Sequence, residues 1–320
     1  MSSYTNTVLL TGGTSGLGFF AALDIAKKEP KYIVIITGRS DHNSSASKIN
    51  TKLNQKNVVF LPLDLSSLTK VRGFAESWPS KSYPPIISLI LNAGTQSLGP
   101  LETNEDGYEK TFAVNHLGHA LLFHLLAPYL DPKARIIVTA SGTHNPVYTQ
   151  KSGLPDAVYT TAADLAHPDP ASAHPKGMQR YNTSKLANIL WTFALARHLG
   201  DAKSAITANA FNPGLMPGTG LAREYSGISR FLWFHVLPYI IPLLKMVIPV
   251  VRSTEGSGED LAWVAISKET AGISGKYFDG RKETMTSAAS YETEKQDDLW
   301  TWTVETVVGG GDGLTGLKRA

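Results

Sequence analysis

The chain has 320 residues, 42 % of them hydrophobic and 18 % charged, a mix that excludes a disordered or fibrous chain and is long enough for one sizeable core. A formal charge of +3 is too weak to point to a nucleic-acid partner. The absence of cysteine excludes disulfides, thiolate metal sites and cysteine nucleophiles.

Residues 1–7 are short and polar and lack the regions of a secretory signal, so a cytoplasmic protein is expected. Residues 7–11 then form an apolar run of strand length, and 16–28 carry Phe19, Phe20, Leu23 and Ala26 at helical spacing. Further strands are expected over 32–37, 57–64, 86–92, 135–141 and 205–212, with helices over 68–77, 105–129 and 178–198. Strand–helix alternation with near-continuous apolar strands predicts an α/β fold. The expected architecture is a doubly wound, Rossmann-type parallel sheet in a three-layer α/β/α single domain spanning 1–320. Residues 144–176 and 215–252 break the alternation and read as insertions, and 309–320 reads as a flexible tail.

Residues 231–251 (FLWFHVLPYIIPLLKMVIPVV) are long enough to span a bilayer. They also hold His235, Lys245, Pro238, Pro242 and Pro249, and prolines leave backbone groups unpaired where lipid offers no partner. No transmembrane span is therefore expected. Three ways of covering these side chains stay open: packing on the domain's own core, a lid over an apolar substrate pocket, or peripheral membrane or subunit contact.

The first strand ends in Thr11-Gly12-Gly13-Thr14-Ser15-Gly16-Leu17-Gly18, and a helix follows at once. Glycines allow a tight turn and close approach of a ligand, while the helix N-terminus offers free amides to a pyrophosphate. The second strand ends with Gly38-Arg39, where an NAD enzyme usually carries an acid for the ribose 2′-hydroxyl. A guanidinium there suits a 2′-phosphate, which favours NADP(H). Asp64 and Leu65 end the third strand, on the adenine side, and Asn92, Ala93 and Gly94 leave room beside a cofactor at the end of the fourth.

Tyr181 and Lys185 stand four residues apart and share a helix face. A phenol ionises near pH 10, and a neighbouring ammonium brings the phenolate closer to working range. Ser141, at the end of a strand, is placed to donate to a substrate carbonyl. His116, His119 and His124 lie on one helical segment, but no third ligand has suitable spacing and no metal site is expected.

These motifs, together with Asn115 in FAVNHLGHALL and Asn212-Pro213-Gly214, make residues 7–280 resemble the short-chain dehydrogenase/reductase family. Within it, LDLSSLTKVRGFAES, VNHLGHALL, SKLANIL and AGISGKYFDG are most similar to the retinol dehydrogenase and protochlorophyllide oxidoreductase group. The resemblance implies a catalytic tetrad of Asn115, Ser141, Tyr181 and Lys185. Asn115 would hold a relay water, Ser141 orient the carbonyl, Tyr181 exchange the proton, and Lys185 bind the nicotinamide ribose and tune Tyr181. It implies that Thr219, after Pro213 and Gly214, meets the nicotinamide carboxamide. It further implies hydride exchange with a bulky, lipophilic ketone, aldehyde or alcohol.

Two departures stand out. Ser141 lies 40 residues before Tyr181, well beyond the usual family gap, so the intervening segment must loop out. The chain also lacks the cysteine expected of protochlorophyllide reductases, which weighs against light-driven C=C reduction. A non-catalytic NADP(H) sensor is the other alternative, but such proteins typically lose the Tyr or Lys.

Overall fold

The computed structural model describes residues 4–169, 177–220, 227–248 and 250–317. Parts of both expected insertions and the last three residues of the expected tail thus lie outside the described residues.

The strands are β1 (Asn6–Thr11), β2 (Tyr32–Gly38), β3 (Val58–Pro62), β4 (Ile86–Leu91), β5 (Leu130–Thr139), β6 (Thr207–Asn212), β7 (Lys276–Asp279) and β8 (Lys282–Glu283). They form one sheet in the order β3-β2-β1-β4-β5-β6-β7-β8, parallel throughout except that β8 returns antiparallel to β7. Chain order reverses between β1 and β4, and open sheets of this kind bind ligands outside the carboxyl ends of strands at that point.

The helices are α1 (Gly16–Lys28), α2 (Ser45–Leu53), α3 (Leu68–Ser77), α4 (Lys110–Phe112), α5 (Gly118–Leu126), α6 (Pro146–Ser152), α7 (Ala162–Ala166), α8 (Gly177–Asp201), α9 (Gly227–His235), α10 (Ile241–Val247), α11 (Thr254–Ile266) and α12 (Thr293–Val308). They cover both faces of the sheet. Side chains alternate across a strand, so Val8, Leu10, Val34 and Ile36 pack with α1 and α11. Leu9 and Ile35 face the larger cluster formed with α3, α5, α8 and α12. Strands buried on both faces explain why the sequence shows apolar runs rather than alternation.

Several expected elements differ. The helix expected over 105–129 starts only at Lys110, and a single π turn, Ala113–Leu117, divides α4 from α5. The insertion at 144–176 contains α6 and α7. The hairpin β7–β8 and the helices α2, α11 and α12 were not anticipated. α11 carries glycines that resemble a loop signal, but Gly258 serves packing: a Cβ there would stand 2.5 Å from Phe20 Cβ, so its absence lets α11 lie against α1. The tail from Gly309 packs Leu314 and Leu317 against the larger cluster.

Candidate active site

The glycine turn is built by close approach. Gly12 adopts φ +70°, and a Cβ there would meet the Ala93 backbone at 2.9 Å. A Cβ on Gly18 would stand 2.3 Å from the Gly12 carbonyl. Gly16, at φ +54°, has nothing within 4 Å of its Cβ direction, so its backbone borders open space at the start of α1. Ser15 caps α1 without a side-chain hydrogen bond, and the amides of a helix's first turn lack intrahelical acceptors. Ser45 Oγ donates to the Thr14 carbonyl (2.8 Å), which fixes the loop from behind.

Thr11 ties this turn to β4. Its hydroxyl oxygen accepts from Asn92 N (2.8 Å) and Ala93 N (3.0 Å), while Asn92 Nδ2 donates to the Thr11 carbonyl (2.9 Å). The same hydroxyl lies 2.9 Å from His119 Nε2, and His119 Nδ1 lies 3.1 Å from the Asn115 carbonyl. A carbonyl only accepts, so Nδ1 carries the proton and Nε2 accepts from Thr11. Burial pushes His119 down to about 4, which keeps it neutral and the direction of this chain fixed.

Asn115 sits in the π turn, fully buried. π turns recur at functional sites because they interrupt the regular ladder. The Asn115 side chain accepts from Thr95 N (2.8 Å) and donates to the Thr95 carbonyl (3.0 Å) and Ser184 Oγ (2.9 Å). A Cβ on Gly94 would stand 3.5 Å from both Asn115 Oδ1 and Lys185 Nζ, so Gly94, Asn115 and Lys185 meet at one point.

α8 presents Tyr181 and Lys185 on one face, with Lys185 Nζ 5.7 Å from the Tyr181 ring centre. Both side chains are buried. Lys185 makes one hydrogen bond among the described residues, to the Thr139 carbonyl (3.0 Å), which also accepts from Asn188 Nδ2 (3.1 Å). Desolvation lowers Lys185 to about 8. Ser141 lies two residues beyond that carbonyl, just past β5; its hydroxyl oxygen accepts from Thr143 N (3.3 Å) and Thr143 Oγ1 (3.1 Å).

Sequence reasoning missed His144, Arg180 and Glu109 and read Asn212 only as part of a motif, yet all four hold the site. Asn212 Oδ1 accepts from Gly142 N (3.0 Å) and Gly214 N (3.2 Å), joining the Ser141 loop to the Pro213-Gly214 turn. Buried His144 bridges the Ser141 carbonyl and Thr286 Oγ1. Arg180, next to Tyr181, pairs with Glu109 at 3.3 Å, both side chains being 5 % exposed or less. Burial raises Glu109 despite backbone hydrogen bonds from Phe112 and Thr111 and the nearby guanidinium.

On the adenine side, Asp64 is held by Ser66 and Lys70 (3.0 Å). Burial would raise its carboxyl, but the hydrogen bonds from Ser66 and Lys70 outweigh it and the net direction is down. Leu65 is buried beneath Gly118. Arg39 is exposed, makes no ion pair among the described residues, and stands on the rim of a cavity of about 540 Å³ with Asp64, Lys70 and Lys81. Beyond the turn, the Thr219 hydroxyl donates to the Met216 carbonyl (3.1 Å), and Trp233 Nε1 donates to the Thr219 carbonyl (3.1 Å). His116 and His124 are buried and pushed to about 3 and about 4 by desolvation; His116 Nε2 pairs with Thr303 Oγ1 (2.9 Å).

Comparison with known proteins bears on this geometry. A family model described as short chain dehydrogenase matches residues 6–154, and one described as AcuH dehydrogenase domain matches 222–312. Short-chain dehydrogenase TIC 32 B, chloroplastic, of Brassica napus is 31 % identical over 94 % of this chain and 88 % of its own length. The chain belongs to the short-chain dehydrogenase family.

WW domain-containing oxidoreductase of Homo sapiens is 31 % identical over 92 % of the chain, which spans 66 % of that relative's length. Polyprenol dehydrogenase of Homo sapiens is 29 % identical over 93 % of this chain and 83 % of its own. Two solved structures share the fold. A blue fluorescent protein from a metagenomic library, in complex with NADPH, has a TM-score of 0.59 and 22 % identity, covering 87 % of this chain and 97 % of its own. The 3-ketoacyl-(acyl-carrier-protein) reductase from Brucella melitensis, complexed with NADH, has a TM-score of 0.58 and 20 % identity over the same shares, 87 % and 97 %.

Proposed function

We propose that the protein moves a hydride between NADP(H) and the carbonyl or alcohol carbon of a lipophilic small molecule. The observation that carries this reading is Lys185: a buried ammonium with one hydrogen bond among the described residues, beside Tyr181 and beneath Gly94, where β4 and β5 end.

The residues fit a dinucleotide. Gly12, Thr14, Ser15, Gly16, Leu17 and Gly18 would cradle the pyrophosphate, since Gly16 borders open space and the first-turn amides of α1 lie there. Asp64 and Leu65 would line the adenine. Asn92, Ala93, Gly94, Pro213, Gly214 and Thr219 would line the nicotinamide end, with Lys185 on the ribose hydroxyls. Bound there, the cofactor supplies or accepts the hydride. In reduction, Tyr181 gives its proton to the substrate oxygen while the Ser141 hydroxyl donates to the same atom. Below about pH 8 Lys185 keeps its charge and favours the Tyr181 phenolate. Asn115, through its carbonyl, would hold the relay water.

Arg39 supports the choice of NADP(H): it is a cation without an ion pair among the described residues, next to Gly38 where an acid would repel a 2′-phosphate. The lipophilic class is supported by the apolar segment beside Thr219 and by the likeness to a polyprenol dehydrogenase. Initial rates with NADPH and NADH test the reading. Arg39→Ala should weaken NADPH use by roughly 10–100-fold, the worth of a charge-assisted hydrogen bond, and leave NADH use unchanged. Equal efficiency of the unaltered protein with both cofactors would contradict it.

A further inference from the structure

We infer that His144 is the positioning residue for Ser141, and that Thr286 sets His144. The inference rests on the proposed role of Ser141 as a donor to the substrate oxygen.

In this chain 40 residues separate Ser141 from Tyr181, so no short connection tethers the serine to α8. Ser141 stands just past β5, half-buried, at the head of the turn Gly142–His144. Among the described residues its hydroxyl oxygen only accepts, from Thr143 N and Thr143 Oγ1, which leaves the hydroxyl proton to be given outward. Where that proton points depends on how the backbone at Ser141 is held.

Both polar atoms of the peptide between Ser141 and Gly142 are clamped. Its N–H donates to Asn212 Oδ1 (3.0 Å). Its carbonyl accepts from His144 Nδ1, and more weakly from His144 N (3.4 Å). A peptide unit is planar, so holding it on both sides fixes its rotation about the chain. The Cα–Cβ bond that carries Ser141 Oγ is fixed with it.

The state of the ring follows. A carbonyl only accepts, so Nδ1 bears the proton and Nε2 is an acceptor. Thr286 Oγ1 and Ser287 N (3.4 Å) both stand at Nε2, and both donate to it. His144 is buried against the Tyr277 ring, 5.4 Å away and inclined by 62°. Burial pushes its imidazole down to about 4, which keeps it neutral at working pH and the tautomer single. Thr286 and Ser287 lie between β8 and α12, in a segment that supplies no group to the proposed reaction. Through His144, that segment sets the aim of Ser141.

Turnover is measured with NADPH and decanal or acetophenone, whichever is reduced faster. His144→Leu should lower kcat roughly 10–100-fold, the scale of a misplaced reacting group, with NADPH affinity by fluorescence titration unchanged. Added to Ser141→Ala it should cost nothing more, because residues that act as a unit are not additive. His144→Asn sets an Nδ2 donor where Nδ1 stood and should recover most of the rate. Thr286→Val leaves the ring and its bond to Ser141 in place, and carries the test if His144→Leu does not fold. It should lower kcat roughly 2–10-fold, the worth of one hydrogen bond, and only while Ser141 is present. A readout without turnover is nuclear magnetic resonance of nitrogen-labelled histidine. The ring signals that vanish in His144→Asn should be those of a neutral Nδ1–H tautomer. An Nε2–H tautomer would overturn the inference. So would a loss of the same size with and without Ser141, as a merely structural support would give. Native turnover of His144→Leu and Thr286→Val beside a slow Ser141→Ala would remove this inference alone. A Ser141→Ala variant that turns over at the native rate would remove the proposed role of Ser141 and the inference with it.

Discussion

Two regions meet at Thr219, and they are built on opposite principles. At the ends of β1, β4 and β5, buried polar groups are locked to partners across the sheet: Thr11 to Asn92 and His119, Asn115 to Thr95 and Ser184, Lys185 to Thr139. The α9–α10 cap buries no side chain in its first helix and rests on the rest through a few inward residues. A site that must hold proton donors in fixed geometry needs locked rotamers and satisfied partners. A surface that meets varied apolar material needs neither. Under the proposed function, chemistry belongs to the scaffold and selectivity to the cap.

The comparison is broken most severely at Arg180. Arg180→Ala leaves Glu109 buried and unpaired beside the Tyr181 turn of α8, at about 3–5 kcal/mol. Thermal unfolding should fall by about 2–4 °C per kcal/mol. Glu109→Gln added to Arg180→Met should restore much of the loss, because no charge is then stranded. An unchanged melting temperature for Arg180→Ala would show that the pair does not hold the site.

Lys185 gives the next effect, in the opposite direction. Its folded value, about 8, lies below its ordinary 10.5. Between those limits the unfolded chain binds more protons, so native stability rises with pH there, and the cost of burying the ammonium is fully present below about 8. Lys185→Met should therefore melt a few degrees higher at pH 7, with the gain fading as pH rises from about 8 towards 10.5. Asn188 keeps the Thr139 carbonyl satisfied in the variant. Activity should be lost. A lower melting temperature at pH 7 would mean that Lys185 stabilises the fold it is held in.

The smallest effect lies in the cap. Trp233→Ala should raise KM for bulky ketones roughly tenfold, about one buried methylene or two, and leave small ketones and the melting temperature nearly unchanged. Phe231, which shared the lid expectation, faces outward at 59 % exposure and should move neither KM. A fall in melting temperature with no substrate dependence would make Trp233 part of the core.

The sheet and the glycine turn were legible because their determinants are local. Apolar runs mark strands buried on both faces, and Thr11 to Gly18 must be contiguous to make the turn. Tyr181 and Lys185 were legible as a helical pair. The supports were not, because they act across long separations: Thr11 and His119 are 108 residues apart, His144 and Thr286 142. The spacing of Asn115 and His119 was the available signal, since residues four apart can bond across one helical turn. The three histidines of that segment invited a metal reading, yet His119 spends both ring nitrogens, and His116 its Nε2, on buried oxygens. α11 stayed hidden because the glycine that lets it pack on α1 looks like a loop residue.

The central claim is that Tyr181 and its neighbours complete hydride transfer at a carbonyl carbon. It is tested most directly with NADPH deuterated at the transferring position, offered in the dark with a lipophilic ketone to the native protein and to Tyr181→Phe. The account predicts one deuterium on the former carbonyl carbon of the native product. It predicts turnover about 10²–10⁴-fold slower in the variant, with NADPH binding retained. Deuterium delivered to a C=C bond instead, or a variant that turns over at the native rate, would contradict it.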